Sequence, residues 1–286
     1  MSTALLVSSQ NPDGGWPYVR GVSWTEPTVY SLMALLAAGE SDATRRGLAW
    51  LHARQHPDGG WPPQAAFDQS TWVTALVALL PRDRLGAAAH ARAIGWLLRS
   101  QGRETTTLYR VRQWMLGNRI PPEDEFPGWP WIPDAAAWVG PTSVAILALD
   151  KEHRRNPSPT LRERVQDGRN FLLRRMCAGG GWNHGSVRAL GYESSPYPET
   201  TGMALAALRG VRTRQLPLAL AVAGRFLTEC RSADACNWLR LGLLAHGKLP
   251  AGYCRPTGMP YRTLTETSLD LVVNATEQGK EMLWNA

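Results

Sequence analysis

Three carboxylic acids stand singly at the starts of apolar runs: Glu26 in Trp24-Thr25-Glu26-Pro27-Thr28, Asp68 in Phe67-Asp68-Gln69-Ser70-Thr71, and Glu199 in Pro198-Glu199-Thr200-Thr201. A carboxylic acid donates a proton near neutral pH only if burial or a neighbouring like charge keeps it protonated. A Glu in the first turn of a helix has the opposite bias, because the helix dipole favours its anion. Glu26 and Glu199 are candidate catalytic acids, and like Glu266 they also read as caps. Asp68 reads as the better proton donor, since it precedes its Ser70-Thr71 cap by two residues and has Phe67 beside it for a water-poor setting. His184, in Gly181-Trp182-Asn183-His184-Gly185, is a further acid, base or ligand held among glycines. Aromatic side chains accompany these groups: Trp24, Trp72, Trp138 and Tyr197 at helix starts, Trp129 and Trp131 in a Pro-rich loop. Aromatic faces stabilise a developing positive charge without attacking it as a nucleophile would. Proton transfer, with the resulting cation held by rings, is the chemistry this set can perform.

The elements that must position these residues are repeated. Arg46-Gly47-Leu48-Ala49-Trp50-Leu51 leads through Gln55-His56-Pro57-Asp58 to Gly59-Gly60-Trp61, and Gln10-Asn11-Pro12-Asp13-Gly14-Gly15-Trp16 matches its second half. Gly168 through Phe171 to Gly180-Gly181-Trp182 repeats the outline with Met176 in place of Gln, while a weaker copy from Trp96 to Gln101 lacks the Gly-x-Trp ending. Interleaved with these are apolar runs after Pro27-Thr28, Ser70-Thr71, Pro141-Thr142 and Thr200-Thr201, with a degenerate one after Glu266-Thr267. These runs are apolar nearly all round and predict buried helices, whereas 43–54 and 161–175 mix Arg with an apolar stripe and predict helices that face water. Alternation of the two is one helical hairpin repeated. Closing such hairpins into a ring predicts an all-α fold, an α/α toroid of five to six helical hairpins. A single domain is expected over 1–286, with an insertion at 102–137 that carries a short helix over 109–116 and a Pro-rich loop.

The Arg-Gly-x-x-aromatic-Leu-x-x-x-Gln-x-x-x-x-Gly-x-Trp pattern of Arg46 to Trp61 resembles the QW motif of squalene-hopene and oxidosqualene cyclases, shared with class II terpene cyclases and protein prenyltransferase β subunits. The resemblance implies that Trp16, Trp50, Trp61, Trp96 and Trp182 are structural staples. It also implies acid-initiated carbocation cyclisation of an isoprenoid chain in a Trp-lined barrel. Those cyclases carry an Asp-x-Asp-Asp acid motif, and this chain has none. The alternatives are a non-catalytic toroid that binds an isoprenoid or a peptide, or a relative of the prenyltransferase β subunits. The latter bind zinc through Asp-x-Cys and a His; Asp234-Ala235-Cys236 has that spacing, but Glu266 stands where the family has His. No metal and no cofactor are expected.

The net charge is +7, from 31 basic and 24 acidic residues, and only Lys151, Lys248 and Lys280 are lysines. The basic residues are scattered, which argues against a nucleic-acid partner and leaves open a diphosphate or peripheral contact with an anionic membrane. The expected partner is an isoprenoid small molecule, with no obligate protein partner. No apolar run approaches the roughly 18–20 residues of a membrane span, and no signal-peptide pattern is present. Four cysteines, at 177, 230, 236 and 254, show no disulfide or paired-ligand spacing. A cytoplasmic protein with free thiols is expected.

Overall fold

The computed structural model describes residues 3–39, 42–185, 188–189, 192–256, 258–280 and 282–285. Among them the helices are α1 (Ala4–Ser8), α2 (Thr25–Ala38), α3 (Asp42–His52), α4 (Val73–Ala78), α5 (Arg82–Leu85) and α6 (Ala87–Arg99). There follow α7 (Thr107–Met115), α8 (Val139–Arg155), α9 (Pro159–Arg174), α10 (Pro198–Ala207), α11 (Leu216–Glu229), α12 (Ala233–Ala245) and α13 (Leu264–Glu277). The only strands among the described residues are β1 (Arg188–Ala189) and β2 (Tyr192–Glu193), a two-residue antiparallel ladder. The chain forms two compact units, one of Met1–Arg99 with Pro260–Ala286, the other of Ser100–Met259.

In the first unit α2 and α4 are buried on nearly every side, as their uninterrupted apolar runs require. Helix α3 buries only Ala43, Thr44, Gly47, Trp50 and Leu51 and turns its arginines outward. Helix α13 packs along α2, with Ser31 and Ser268 hydroxyls 3.1 Å apart between them. The Gly-Gly-Trp loops are the joints. Gly59 has φ +96°, a left-handed turn that a side chain would strain, and the ring of Trp61 is fully buried beyond it. The Trp61 indole N–H donates to Leu51 O at 2.8 Å and its backbone N–H to Thr74 Oγ1 at 2.9 Å. Trp16 repeats this with Leu6 O and Thr28 Oγ1. Trp16 also lies so close to Gly47 of α3 that a Cβ there would meet its ring at 2.6 Å, the steric reason for the motif's glycine.

The same joint recurs in the second unit at Trp182, with Leu172 O and Thr201 Oγ1. It also recurs at Trp129. The backbone N–H of Trp129 donates to Thr142 Oγ1 at 2.8 Å, its ring lies against Gly168 of α9, and its side chain is only 2% exposed. The copy beginning at Trp96 has therefore not lost its ending. Gly128-Trp129 is that ending, displaced by the insertion, and Trp129 belongs with the staples. Arg164 of α9 closes the gap: its guanidinium donates to Ser100 O, Pro127 O and Gly128 O and stacks 3.3 Å over the Trp129 ring. Burial pulls the pKa of Arg164 down to about 9, against the pull of Asp167. Three carbonyls and an aromatic face thus hold a cation that is charged at neutral pH.

Thr28, Thr142 and Thr201, at the openings of the apolar runs, are not N-caps. Trp24, Trp138 and Tyr197 occupy the N-cap positions of α2, α8 and α10 and make no side-chain cap bond. Thr28, Thr142 and Thr201 sit one turn inside, where their hydroxyls accept the staple tryptophans' N–H groups. The hydroxyls join layers instead of closing helix ends.

Candidate functional site

The start of α2 is fixed by three bonds. Trp24 N–H donates to Trp16 O at 2.9 Å, Thr25 N–H to Pro63 O at 2.8 Å, and Thr25 Oγ1 to Pro62 O at 2.6 Å. Held there, Glu26 meets Tyr18, whose hydroxyl donates to Glu26 Oε2 at 2.5 Å. Glu26 keeps a little exposed surface and is otherwise enclosed. Burial pushes its carboxyl above the ordinary range, and the Tyr18 hydrogen bond only partly offsets this. The Tyr18 hydroxyl is itself pushed up by burial and then by the neighbouring Glu26, so it remains a donor. Aromatic rings line up beside the pair, Tyr18 to Trp24 at 5.5 Å and Trp24 to Phe67 at 6.5 Å.

This reverses the expected order of the two acids. Asp68 is exposed and Phe67 beside it is 47% exposed, so the water-poor setting expected around Asp68 is not there. The cause is local: Ser70 Oγ is drawn to Asp58 Oδ1 at 2.8 Å and Thr71 N–H to Trp61 O at 2.9 Å, which leaves the preceding residues as an outward loop. Among the described residues no backbone N–H donates to the Glu26 carboxyl. Glu266, by contrast, does cap: its carboxylate accepts from Arg262 N–H at 2.6 Å while Thr263 Oγ1 accepts from Glu266 N–H. Trp72, at the N-cap of α4, is partly exposed.

A second group forms in the other unit. Tyr197 N–H donates to Trp182 O at 2.8 Å and Trp138 N–H to Trp129 O at 3.0 Å, repeating the rail that fixes Trp24. The ring of His184 lies 5.7 Å from Trp138 and 5.2 Å from Tyr197, and all three are exposed. Trp131 rests over the first turn of α8, where a Cβ on Gly140 would stand 3.5 Å from its ring. Glu199, in the first turn of α10, is partly exposed; its charge, with that of Asp234, adds to the burial that pushes the Cys230 thiol up. The Trp129 ring is buried against Arg164, whereas Trp138, His184 and Tyr197 are exposed.

Cys236 is buried, with Sγ 3.4 Å from the Tyr253 hydroxyl, and its thiol is raised by that burial. Among the described residues no three His, Cys, Asp or Glu side chains converge to hold a metal ion. No helix among them is long and apolar enough to cross a membrane.

Sequence reasoning missed Tyr18. The signal was available: Tyr18 is two residues past Trp16, as Trp131 is past Trp129 and His184 past Trp182. In these three copies that offset places a ring or imidazole beside a helix start, whereas the Trp61 copy has Pro63 there.

No family model matches this sequence, and no curated protein does. Solved structures do. The endo-β-1,4-glucanase CMCax from Acetobacter xylinum is 14% identical, with 97% of each chain covered and a TM-score of 0.61. An endo-β-1,4-glucanase from an Achatina fulica gut metagenomic library is also 14% identical, with 97% of this chain and 98% of that one covered and a TM-score of 0.60. A type II terpene cyclase from Scytonema is 14% identical over 98% of this chain and 95% of that one, at a TM-score of 0.44 too low to weigh. At such identities the likeness shows the fold alone, and that fold is all-α, an α/α toroid.

Proposed function

We propose that this chain is an acid catalyst with Glu26 as the proton donor, acting on an isoprenoid chain in the manner of a class II terpene cyclase. The observation that carries the reading is the Tyr18–Glu26 pair: a carboxyl raised by burial, bonded on one oxygen by a phenol and flanked by Trp24 and Phe67. With Oε2 accepting from Tyr18, Oε1 is the oxygen left to carry the proton. In the reaction the Oε1–H bond breaks as a C–H bond forms on an alkene carbon, leaving a carbocation on its neighbour. The Tyr18 hydrogen bond stabilises the carboxylate produced, and the Trp24 face stabilises the cation. Loss of a proton from an adjacent carbon ends the sequence, and the carboxylate recovers its proton. Asp68, Glu199 and His184 are reserve candidates for proton transfer, with Trp72, Trp131, Trp138 and Tyr197 as contacts for the chain.

A second reading is glycoside hydrolysis, favoured by the full-length likeness in fold to two endo-β-1,4-glucanases. A raised Glu26 would serve there as the acid, but that chemistry also needs a second carboxylate roughly 5–9.5 Å away. Cyclisation needs one acid, and the surroundings of Glu26 are aromatic, so it is preferred. The test is product analysis after incubation with isoprenoid and prenyl diphosphate substrates, run beside a β-1,4-glucan hydrolysis assay, for wild type and Glu26→Gln. Cyclised product lost in Glu26→Gln supports the cyclase. Soluble sugars released by wild type would replace it with the hydrolase, and activity intact in Glu26→Gln would remove Glu26 from both.

A further inference from the structure

Helix α7, in the insertion, has its polarity reversed. It buries none of its nine residues. At helical spacing, Leu108, Val111, Trp114 and Met115 fall on one side, and this side faces out: Leu108 is 82%, Trp114 79% and Met115 68% exposed. Leu116 and Ile120 continue the exposed apolar surface beyond the helix end. The opposite side carries Tyr109, Arg110 and Gln113, which are partly covered, and Arg110 ties the helix down by donating to Asp124 O and Glu125 O. A surface helix in water turns its apolar stripe inward; this one turns its polar side to the protein, and contiguous exposed apolar surface marks an interaction site.

The charge around the strip indicates what covers it. Arg103, Arg112 and Arg119 are exposed, and among the described residues none of them is in an ion pair. Three of the five acids of the same insertion are engaged elsewhere, Glu123 and Asp134 being the other two. Glu104 accepts from Ala137 N–H, Asp124 pairs with Arg175 at 2.5 Å, and Glu125 with Arg174 at 3.1 Å. An apolar strip holding a Trp and bordered by free arginines is complementary to the headgroup region of an anionic bilayer. A second copy fits less well, because it would bring like-charged borders together. At about 1.5 Å per residue, nine residues cannot cross a core of about 30 Å, so the helix must lie in the plane of the surface.

We propose that α7 is an in-plane membrane anchor, seating Leu108, Val111, Trp114 and Met115 in the interface of an anionic bilayer with Arg103, Arg112 and Arg119 at the headgroups. The test is co-sedimentation of the full chain with vesicles of phosphatidylcholine, alone or with about one third phosphatidylglycerol. Wild type pellets with the anionic vesicles. Leu108→Glu/Trp114→Glu lowers the partition coefficient at least about tenfold, while its melting temperature stays at the wild-type value because both side chains are solvent-exposed. Arg112→Gln/Arg119→Gln removes the preference for phosphatidylglycerol. Wild type left in the supernatant would overturn the proposal, as would a Leu108→Glu/Trp114→Glu protein that still pellets. A wild-type dimer broken by that double substitution would assign the strip to a second copy and overturn it too. Glu26→Gln leaves partitioning unchanged, so failure of the anchor and failure of the acid are separable.

Discussion

Two regions of the molecule start from one template and arrive at different chemistry. In the first unit Trp16 is followed two residues later by Tyr18, and the next buried helix starts with Trp24 and Glu26. In the second, Trp182 is followed two residues later by His184, and the next buried helix starts with Tyr197 and Glu199. Ring separations are alike, 5.5 Å for Tyr18–Trp24 and 5.2 Å for His184–Tyr197. The acids differ. Tyr18 reaches Glu26 and holds it in an enclosed setting, whereas among the described residues no hydrogen bond joins His184 to Glu199, and the His184 ring lies tilted between Trp138 and Tyr197 instead. The repeat sets the positions; in the first unit a phenol holds an enclosed carboxyl, and in the second an imidazole lies among aromatic rings.

The largest effects should test the frame common to both regions. Trp61→Ala and Trp129→Ala should each destabilise the protein by about 3–5 kcal/mol in denaturant melts, because both rings are buried with little room to collapse. A cost for Trp129→Ala near that of an exposed residue would return it to the ligand-contact class and break the common frame. Next in size is the contrast between the two acids. Glu26→Gln should lower turnover by about 100-fold or more, in the range of general-acid effects, while Glu199→Gln should change it by less than about tenfold. Equal losses would erase the distinction drawn between them.

Tyr18→Phe should cost about 1 kcal/mol, since it removes one hydrogen bond to a partly buried carboxyl. It should also move the alkaline limb of the pH–rate profile upward, because the bond it deletes favours the Glu26 anion. His184→Phe should move no such limb. The smallest effect is in stability against pH. Glu26 is raised in the folded state above its ordinary value of 4.5, so its contribution is fully present below that pH and is lost as pH rises through the folded value. Glu26→Gln, which mimics the protonated form, should therefore gain stability relative to wild type as pH rises from about 4.5. Melting temperatures compared from pH 4 to 8 read this directly, and a constant difference would mean that Glu26 is not enclosed.

Periodicity alone determined the buried and amphipathic helices, because a run apolar on every side has no stable place in water and a striped run has one. It also determined the joints, since Gly-Gly-Trp needs a left-handed turn and a large ring in a fixed order. Spacing failed where chain inserted between copies hid a match. Trp129 and the ending of the Trp96 copy became visible only through Thr142, Gly168 and Arg164. Ranking the acids also required the tertiary structure. A helix-start Glu and a loop Asp have opposite local biases, and local bias favoured Asp68. Enclosure by Tyr18, Trp24 and residues distant in sequence overrode that bias at Glu26, because desolvation of a carboxyl depends on everything packed around it and not on its neighbours along the chain.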